Sequence, residues 1–425
     1  MLNCLVRNVS FPGKDKTYDI AIHQGVIREI DSSITAEAAK ELDAGGNLVV
    51  PPFVDSHFHL DAALSLGLPR FNQSGTLLEG IEIWNELKPD LKAEQVKQRA
   101  MEMLRWSIAR GTLAVRTHVD VTDPSLLALD VLLEVKDEMK NWVDLQLVAF
   151  PQDGLLRTKE GKELMVRALE KGVEVVGGIP HFERTAEEGR KSISWLCSLA
   201  ESHGLLVDIH CDETDDPNSR HIEHLTYETL RMGLGERVAA SHLTSMHSMD
   251  NYYVSKLLPL MAESSIQAIC NPLINIHLQG RHDTYPKRRG LTRVPELLNA
   301  GVNVAFGHDC VMDPWYPMGS HDMLEVAHMG GHCLQMMGTE QMNLLLEMVT
   351  TRGAEVLNLE RYGIAVGNPA DFVVLQAKSV MDALRLQPVR LFVFRRGEVV
   401  ASTPPSTSTL NLGGETSSVD FHLKR

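Results

Sequence analysis

The sequence lacks long hydrophobic runs and cysteines at paired spacings. No stretch of about 18 or more apolar residues occurs, so a membrane-spanning helix is not expected. The first residues lack the basic patch, long apolar segment and small-residue cleavage site of a signal peptide. Its six cysteines are scattered, a pattern more typical of reduced thiols than of a disulfide framework. We therefore expect a cytoplasmic protein with no membrane association.

The sequence is also short of positive charge. It has 41 lysine and arginine residues against 56 aspartate and glutamate residues, which gives a net charge of −15. A field of that sign repels a phosphate backbone, so a nucleic-acid polymer is not an expected partner. Histidine, by contrast, is abundant, since 18 histidines outnumber the 7 tyrosines and 5 tryptophans together. That excess indicates a possible metal site.

Both ends of the chain have the alternating apolar pattern of short antiparallel strands. Candidate strands lie at 5–9, 18–22 and 26–30, and again at 371–375, 391–394 and 399–401. We predict that residues 1–54 and 368–415 form one small β-sandwich. The segment after Ser402 is rich in Ser, Thr, Pro and Gly, so we expect it to be loosely ordered, with residues 416–425 as a tail.

Between the two ends, eight short apolar runs recur, each followed by polar residues and a helix-like stretch. The runs are 49–54, 112–117, 145–150, 173–179, 205–209, 238–241, 266–270 and 302–306. Apart from a longer first gap, their spacing is about thirty residues, the size of one βα unit. Eight such units predict a closed (β/α)8 TIM-like barrel over residues 55–367, and a doubly wound sheet is less favoured because it normally has fewer strands.

In a barrel of this kind the chemistry is found at the carboxyl ends of the strands. The predicted strand ends are followed by residues that can bind metals or transfer protons. These residues are His57 and His59, His118, Gln152, His181, His210 and Glu213, His242, Asn271, and Asp309. Helix capping would explain one or two of these residues, but not a polar residue of this kind after every predicted strand.

Four of these residues form a candidate metal site. His57 and His59 are two apart on an extended strand, so both imidazoles point to the same face. His210 follows the fifth predicted strand and Asp309 the eighth. Three imidazoles and one carboxylate suit Zn2+ or Fe2+.

A divalent ion makes water a nucleophile at neutral pH, but the reaction still needs a proton carrier. Glu213, three residues after His210, is the predicted general acid and base, able to protonate a ring nitrogen. We expect His242 to orient the water and to stabilise the oxygen that becomes charged. Asp309 is the predicted acceptor of the proton that the water loses.

Several motifs resemble the bacterial cytosine deaminases of the amidohydrolase superfamily. The segments that carry the resemblance are 51–61, 72–80, 210–213, 271–281 and 306–309, and the likeness extends from about residue 8 to 402. It implies one Fe2+ or Zn2+ ion, held by the four candidate ligands, with Glu213 and His242 as the acid/base pair. A second ion in related barrels is held by a lysine after the fourth strand, and residues 177–181 contain none.

The resemblance also implies a free pyrimidine base as substrate and a homo-oligomeric enzyme. Gln152 would bind the carbonyl and ring nitrogen of the base through its amide, and Trp315 would pack near the ring. Further predicted contacts with the base are Leu77 and Phe150. The predicted reaction is attack of water at C4 with release of ammonia.

One residue departs from the family pattern. Cytosine deaminases have a second aspartate after the metal-binding one, whereas here Asp309 is followed by Cys310. A thiol is smaller and less polar than a carboxylate, so cytosine loses a contact while a 5-methyl group gains an apolar neighbour. Burial of one methyl group contributes about 0.8 kcal/mol, and a lost hydrogen bond costs about as much. We therefore predict a deaminase that accepts C5-substituted cytosine, above all 5-methylcytosine.

Other functions stay open at this point. The same barrel and ligands serve the hydrolysis of isoguanine, creatinine and amino-triazines, while a ring-opening amidase is less favoured without a lysine ligand. A non-catalytic ligand-binding homologue is disfavoured because Glu213, His242 and Asp309 are all retained. The small zinc deaminases that act on flipped bases need a Cys-x-x-Cys motif, which does not occur in the sequence.

Overall fold

The computed structural model describes residues 1–422 of the chain. The N-terminal segment forms five short strands, as its alternating pattern indicates. These strands are β1 (Leu2–Ser10), β2 (Thr17–His23), β3 (Val26–Asp31), β4 (Ala38–Asp43) and β5 (Leu48–Val50). Strands β1, β2 and β3 pair in antiparallel order, whereas β4 and β5 run parallel to β1.

The central part of the chain forms a parallel barrel whose eight strands follow one another in sequence order within the described residues. The strands are β6 (Phe53–Phe58), β7 (Thr112–Asp120), β8 (Asp144–Phe150), β9 (Val175–Gly178), β10 (Leu206–Cys211), β11 (Val238–His242), β12 (Gln267–Cys270) and β13 (Val304–Phe306). A parallel bridge between Phe58 and Asp309 joins the first strand to the end of the last. The predicted (β/α)8 barrel is confirmed.

The α-helices of the described residues lie between the barrel strands and after the last of them. They are α1 (Leu77–Leu87), α2 (Ala93–Ala109), α3 (Leu127–Met139), α4 (Gly161–Glu170), α5 (Ala186–His203), α6 (His221–Met232), α7 (Asn251–Ser264), α8 (Pro272–Leu278), α9 (Val294–Asn299), α10 (Met323–Cys333), α11 (Thr339–Met348), α12 (Thr351–Val356) and α13 (Val380–Leu386). Local sequence fixes several of their ends: the Thr76 and Thr185 hydroxyls accept hydrogen bonds from backbone N–H groups in the first turns of α1 and α5. Among residues 1–422, no helix combines the length and the apolarity that a bilayer crossing requires.

The C-terminal segment completes the terminal sheet. Strands β14 (Phe372–Leu375), β15 (Arg390–Arg395) and β16 (Glu398–Ser402) form an antiparallel series, and β14 pairs with β5. Val6, Ile20, Phe372 and Phe394 belong to one buried cluster between these strands. The two ends of the chain therefore meet in one terminal sheet.

The first predicted barrel strand, 49–54, is split in the structure. Its first residues belong to β5 of the terminal sheet, whereas β6 of the barrel begins at Phe53. Pro51 and Pro52 separate the two strands, since proline has no N–H group for a central ladder. The apolar run is therefore two strands of different sheets.

The segment after Ser402 is more regular than predicted. Residues Ser408–Leu412 (β17) and Glu415–Val419 (β18) form an antiparallel hairpin, so the expectation of a loosely ordered tail from Ser402 is wrong for this stretch. Gly413 and Gly414 make the turn with φ values of 60° and 88°, which glycine adopts without steric cost. The last three residues of the predicted 416–425 tail lie outside the described residues.

Candidate active site

Backbone hydrogen bonds bring three of the candidate metal ligands to one point. The N–H of Asp309 donates to the carbonyl oxygen of His57 (2.8 Å), and the N–H of His59 donates to that of Asp309 (3.0 Å). These bonds join the end of β6 to the segment after β13, where the barrel closes. Asp309 has a φ of 73°, in the left-handed region that Asp tolerates better than most residues.

The ring nitrogens and the carboxylate of the candidate ligands converge. The Nε2 atoms of His59 and His210 are 3.1 Å apart, and Oδ1 of Asp309 lies 3.5 Å from Nε2 of His59 and 3.8 Å from Nε2 of His57. Ligands held at about 2.1 Å from one ion in a tetrahedron stand about 3.4 Å from one another. The spacing of these atoms therefore fits a single divalent ion.

The electrostatics of the cluster also fit a metal. Burial lowers the pKa of His59 to about 3 and that of His57 and His210 well below the usual 6.5, so the imidazoles are neutral at physiological pH. Nε2 of His57 has no hydrogen-bond partner within residues 1–422. Neutral imidazole is the form that binds Zn2+ or Fe2+, so this buried nitrogen is suited to a ligand role.

Glu213 and His242 lie beside the candidate metal ligands. Nδ1 of His242 is 3.4 Å from Oε1 of Glu213, and its Nε2 is 3.7 Å from Oδ2 of Asp309. Burial, together with the charge of Asp309, raises the pKa of Glu213 well above the usual 4.5. Glu213 therefore tends to keep a proton in this environment, as a general acid must.

Two asparagines hold His242 and Asp309: Asn271, one of the predicted strand-end residues, and Asn275, which was not predicted. The side-chain amide of Asn275 donates to Nδ1 of His242 (3.0 Å), and that of Asn271 donates to Oδ2 of Asp309 (3.2 Å). Oδ1 of Asn275 accepts the N–H of Asn271 (3.3 Å), which supports this orientation of the Asn275 amide. With Nδ1 as an acceptor, the proton of neutral His242 lies on Nε2, which faces Asp309.

These groups open into one small cavity at the carboxyl ends of the barrel strands. Its empty volume is about 340 Å³ when the open mouth and the solvent in it are included. The cavity is lined by His59, Leu77, Gln152, Ile179, His210, Glu213, His242, Ile274, Leu278, Asp309, Cys310 and Trp315. Most of the predicted substrate contacts are therefore on its wall, together with Ile179, Ile274 and Leu278, which were not predicted.

Phe150 lies directly behind one of the candidate metal ligands. It is fully buried and stacks on the ring of His210, with the ring centroids 4.0 Å apart and the planes 17° apart, and it is not among the cavity-lining residues. Gln152 lies two residues beyond Phe150, past the end of β8, and lines the cavity. Phe150 thus packs against a candidate metal ligand, and its contact with the substrate stays a prediction.

Trp315 lines the cavity and packs closely against α1. A Cβ atom at Gly80 would lie 2.2 Å from Cδ1 of Trp315, so only glycine leaves space for the indole at this position. The indole of Trp84 lies 6.3 Å from that of Trp315, and its Nε1 donates to Asp120 (2.8 Å). Helix α1, which also carries Leu77, is therefore shaped to hold this aromatic side chain.

Cys310 lies beside the candidate metal ligands on the cavity wall. Its Sγ is 3.4 Å from Oδ1 of Asp309, and Cys310 is 3% exposed. Burial raises the pKa of the thiol well above its usual range, so it is present as the neutral S–H group. Cys310 itself therefore contributes a small, uncharged group to the wall.

Comparisons with known proteins agree with this geometry. A family model described as the amidohydrolase family matches residues 40–401. The N-isopropylammelide isopropyl amidohydrolase of Pseudomonas sp. strain ADP is 31% identical over 403 residues, which is 93% of this chain and 96% of the relative. The chain belongs to the amidohydrolase family and is a hydrolase, as predicted.

Within this family, the chain is similar to enzymes that act on nitrogen heterocycles. The solved structure of 5-methylcytosine deaminase from Klebsiella pneumoniae, liganded with 5-fluorocytosine, matches with a TM-score of 0.92 and 43% identity, covering 95% of this chain and 98% of that one. Pterin deaminase of Rhizobium rhizogenes is 29% identical over 399 residues, 92% of this chain and 90% of the relative. The resemblance to the cytosine deaminases of the superfamily is confirmed.

Proposed function

We propose that this protein is a metal-dependent deaminase of free cytosine-type bases with 5-methylcytosine as its preferred substrate. The observation that carries the proposal is the set of Gln152, Glu213 and Cys310 around one cavity. It is found in a chain 43% identical to a 5-methylcytosine deaminase. The cavity walls combine an amide for the base, a buried acid and an uncharged thiol.

The proposed chemistry assigns a separate task to each side chain. One Fe2+ or Zn2+ ion, held by His57, His59, His210 and Asp309, would make water nucleophilic at neutral pH. Glu213 in its protonated form donates to the ring nitrogen next to C4, which makes C4 electrophilic.

The remaining steps complete the hydrolysis. Asp309 accepts the proton that the attacking water loses, and Nε2–H of His242 stabilises the oxygen that becomes charged. The C4–O bond then forms and the C4–N bond breaks, while the protons pass to the leaving amine to give ammonia. The amide of Gln152 can donate to the ring carbonyl and accept from a ring N–H, which orients the base.

Cys310 is the proposed determinant of the substituent at C5. A neutral thiol contacts a methyl group without the desolvation cost of a buried carboxylate. Burial of one methyl group contributes about 0.8 kcal/mol, or about fourfold in kcat/KM. Ile179, Ile274 and Leu278 add apolar surface to the same cavity.

The test is a substrate panel read as ammonia release, with cytosine, 5-methylcytosine, an amino-triazine and a pterin. We expect 5-methylcytosine to have the highest kcat/KM, and Cys310→Asp to lower the ratio of 5-methylcytosine to cytosine by about fourfold or more. Cys310→Ser, which adds no charge, is the matched control. A native preference for cytosine, or turnover of only the triazine or the pterin, would contradict the proposal.

Three less specific features of the proposal concern the ion, the assembly and the location. Both Fe2+ and Zn2+ accept this ligand set, so we propose one ion of either kind. All six cysteines are unpaired in the described residues, which agrees with a reducing cytoplasm. We further propose a homo-oligomer, as in the cytosine deaminases that the motifs resemble.

A further inference from the structure

A chain of buried hydrogen bonds runs beneath the candidate metal site and ends on one of its ligands. Nδ1 of His57 lies 2.9 Å from Oγ of Ser241, and that hydroxyl lies 2.6 Å from Oδ1 of Asp208. His57, Ser241 and Asp208 are all 0% exposed. None of the predicted roles in catalysis or substrate binding involves Ser241 or Asp208, so these two residues need another explanation.

The direction of these bonds determines the tautomer of His57. Asp208 is a carboxylate that can only accept, so the hydroxyl of Ser241 donates its single proton to Asp208. The oxygen of Ser241 is then left as the acceptor for an N–H on Nδ1 of His57. This leaves the lone pair of His57 on Nε2, the nitrogen that faces Oδ1 of Asp309 at 3.8 Å.

Arg116 faces the other oxygen of Asp208, so both carboxylate oxygens lie against donors. Nη1 of Arg116 donates to Oδ2 of Asp208 (3.0 Å), and a guanidinium stays charged even when buried. The rest of the guanidinium is held by Oε1 of Gln146 and the carbonyl oxygen of Val356, both at 2.7 Å. Arg116, at the end of these contacts farthest from His57, is thus held by residues of β8 and α12.

A second metal ion is an alternative explanation, since ligand atoms of His57, His118 and Asp208 also lie within 4.8 Å of one another. The position of Arg116 argues against it. Oδ2 of Asp208 already accepts from Arg116, and Oδ1 already accepts from Ser241. A cation at this point would displace one of these donors and would face a buried positive charge. The contacts therefore fit a role in positioning.

We propose that Ser241 is a positioning residue that fixes the tautomer and the orientation of His57, with Asp208 and Arg116 holding Ser241 in turn. The inference rests on the proposed metal site, because it assigns Nε2 of His57 to the ion. Groups that hydrogen-bond to a metal-binding histidine commonly change metal affinity by about 10- to 100-fold when they are removed. Ser241 is expected to act in the same way here.

The test compares Zn2+ affinity of Ser241→Ala and wild type, measured by chelator competition on the full-length metal-free protein without substrate. Ser56→Ala is the matched control, because Ser56 is equally buried and next to His57, yet its hydroxyl has no hydrogen-bond partner within residues 1–422. We expect Ser241→Ala to bind Zn2+ about 10- to 100-fold more weakly, while Ser56→Ala binds like wild type. The melting temperatures of the metal-free proteins separate loss of affinity from loss of fold.

Two results would overturn the inference. One is wild-type Zn2+ affinity in a folded Ser241→Ala protein. If that variant does not fold, neutron diffraction of wild-type crystals gives an independent result: a proton on Nε2 of His57, rather than on Nδ1, would contradict the proposed contacts. A wild-type protein that binds Zn2+ but does not release ammonia from any base would instead contradict the proposed function and leave the role of Ser241 standing.

Discussion

Oε1 of Glu213 lies 3.4 Å from Nδ1 of His242, on the opposite edge of the imidazole from Asp309. Because Asn275 donates to the same Nδ1, neutral His242 is not a hydrogen-bond donor toward Glu213. The two groups therefore have separate tasks. Glu213 is left free to transfer a proton to the base, while the Nε2–H of His242 is directed toward the metal side of the cavity.

The separate role of Glu213 leads to the first prediction. Glu213→Gln preserves size and burial but cannot transfer a proton, so kcat should fall by about 100- to 10,000-fold while the metal content stays at the wild-type level. Steady-state kinetics and metal analysis of the same preparations measure both. Glu228→Gln is a control for the loss of another buried carboxylate. Glu228 pairs with Arg231 on α6 and does not line the cavity. A fully active Glu213→Gln enzyme would remove Glu213 from the mechanism.

Removal of the metal should abolish activity and lower stability together. The four candidate ligands are buried, and a bound ion favours the folded state because the unfolded chain lacks the assembled site. We expect a chelator-treated protein to release no ammonia, to melt at a lower temperature than the untreated protein, and to recover both properties on addition of Fe2+ or Zn2+. Full activity in a preparation shown to be free of metal would contradict the assignment of the site.

Packing between α1 and Trp315 predicts the effect of a single methyl group. Gly80→Ala places a Cβ atom 2.2 Å from the present position of the indole, so Trp315 must move. Overpacking of this kind costs about 1–3 kcal/mol, and we expect a rise in KM of about tenfold with a smaller change in kcat. Gly338→Ala is the control, since its added methyl group meets only the flexible side chain of Gln341. Equal KM values for the two variants would show that Trp315 does not shape the cavity.

The sequence predicted the features of this fold that depend on local periodicity. His57 and His59 share a face because a strand repeats every two residues, and the strand ends share a rim because parallel strands point the same way. Those two rules suffice to bring His210 and Asp309 toward the same point. The barrel and the terminal sheet follow from the same kind of pattern.

Features that depend on packing between distant segments were not predictable in this way. Phe150 stacks on His210 because of the strand register, and Asn275 reaches His242 from α8, which no local pattern reveals. Asp208 lies two residues before His210 on the same face of β10 and therefore one layer deeper in the barrel. An acidic residue on an inward-facing strand position, two residues before a candidate ligand, is the signal that would have identified it.

The last prediction concerns the dependence of stability on pH. Asp313 accepts hydrogen bonds from the N–H groups of Trp315 and Tyr316, but burial raises its pKa from 3.8 to about 6. Between these two values the folded protein binds a proton that the unfolded chain has released, so the stabilising contribution of Asp313 is lost as the pH rises from about 4 to about 6. Asp313→Asn retains an acceptor for both N–H groups and does not titrate.

The measurement is the difference in unfolding free energy between wild type and Asp313→Asn, from urea titrations at several pH values. Other titrating groups, including the histidines of the cavity, are present in both proteins and largely cancel in this difference. We expect wild type to lose stability relative to the variant up to about pH 6 and to show no further relative change above it. A difference that stays constant from about pH 4 to pH 6 would mean that Asp313 is already ionised throughout, with its charge stabilised by the two backbone donors that cap the turn below Trp315.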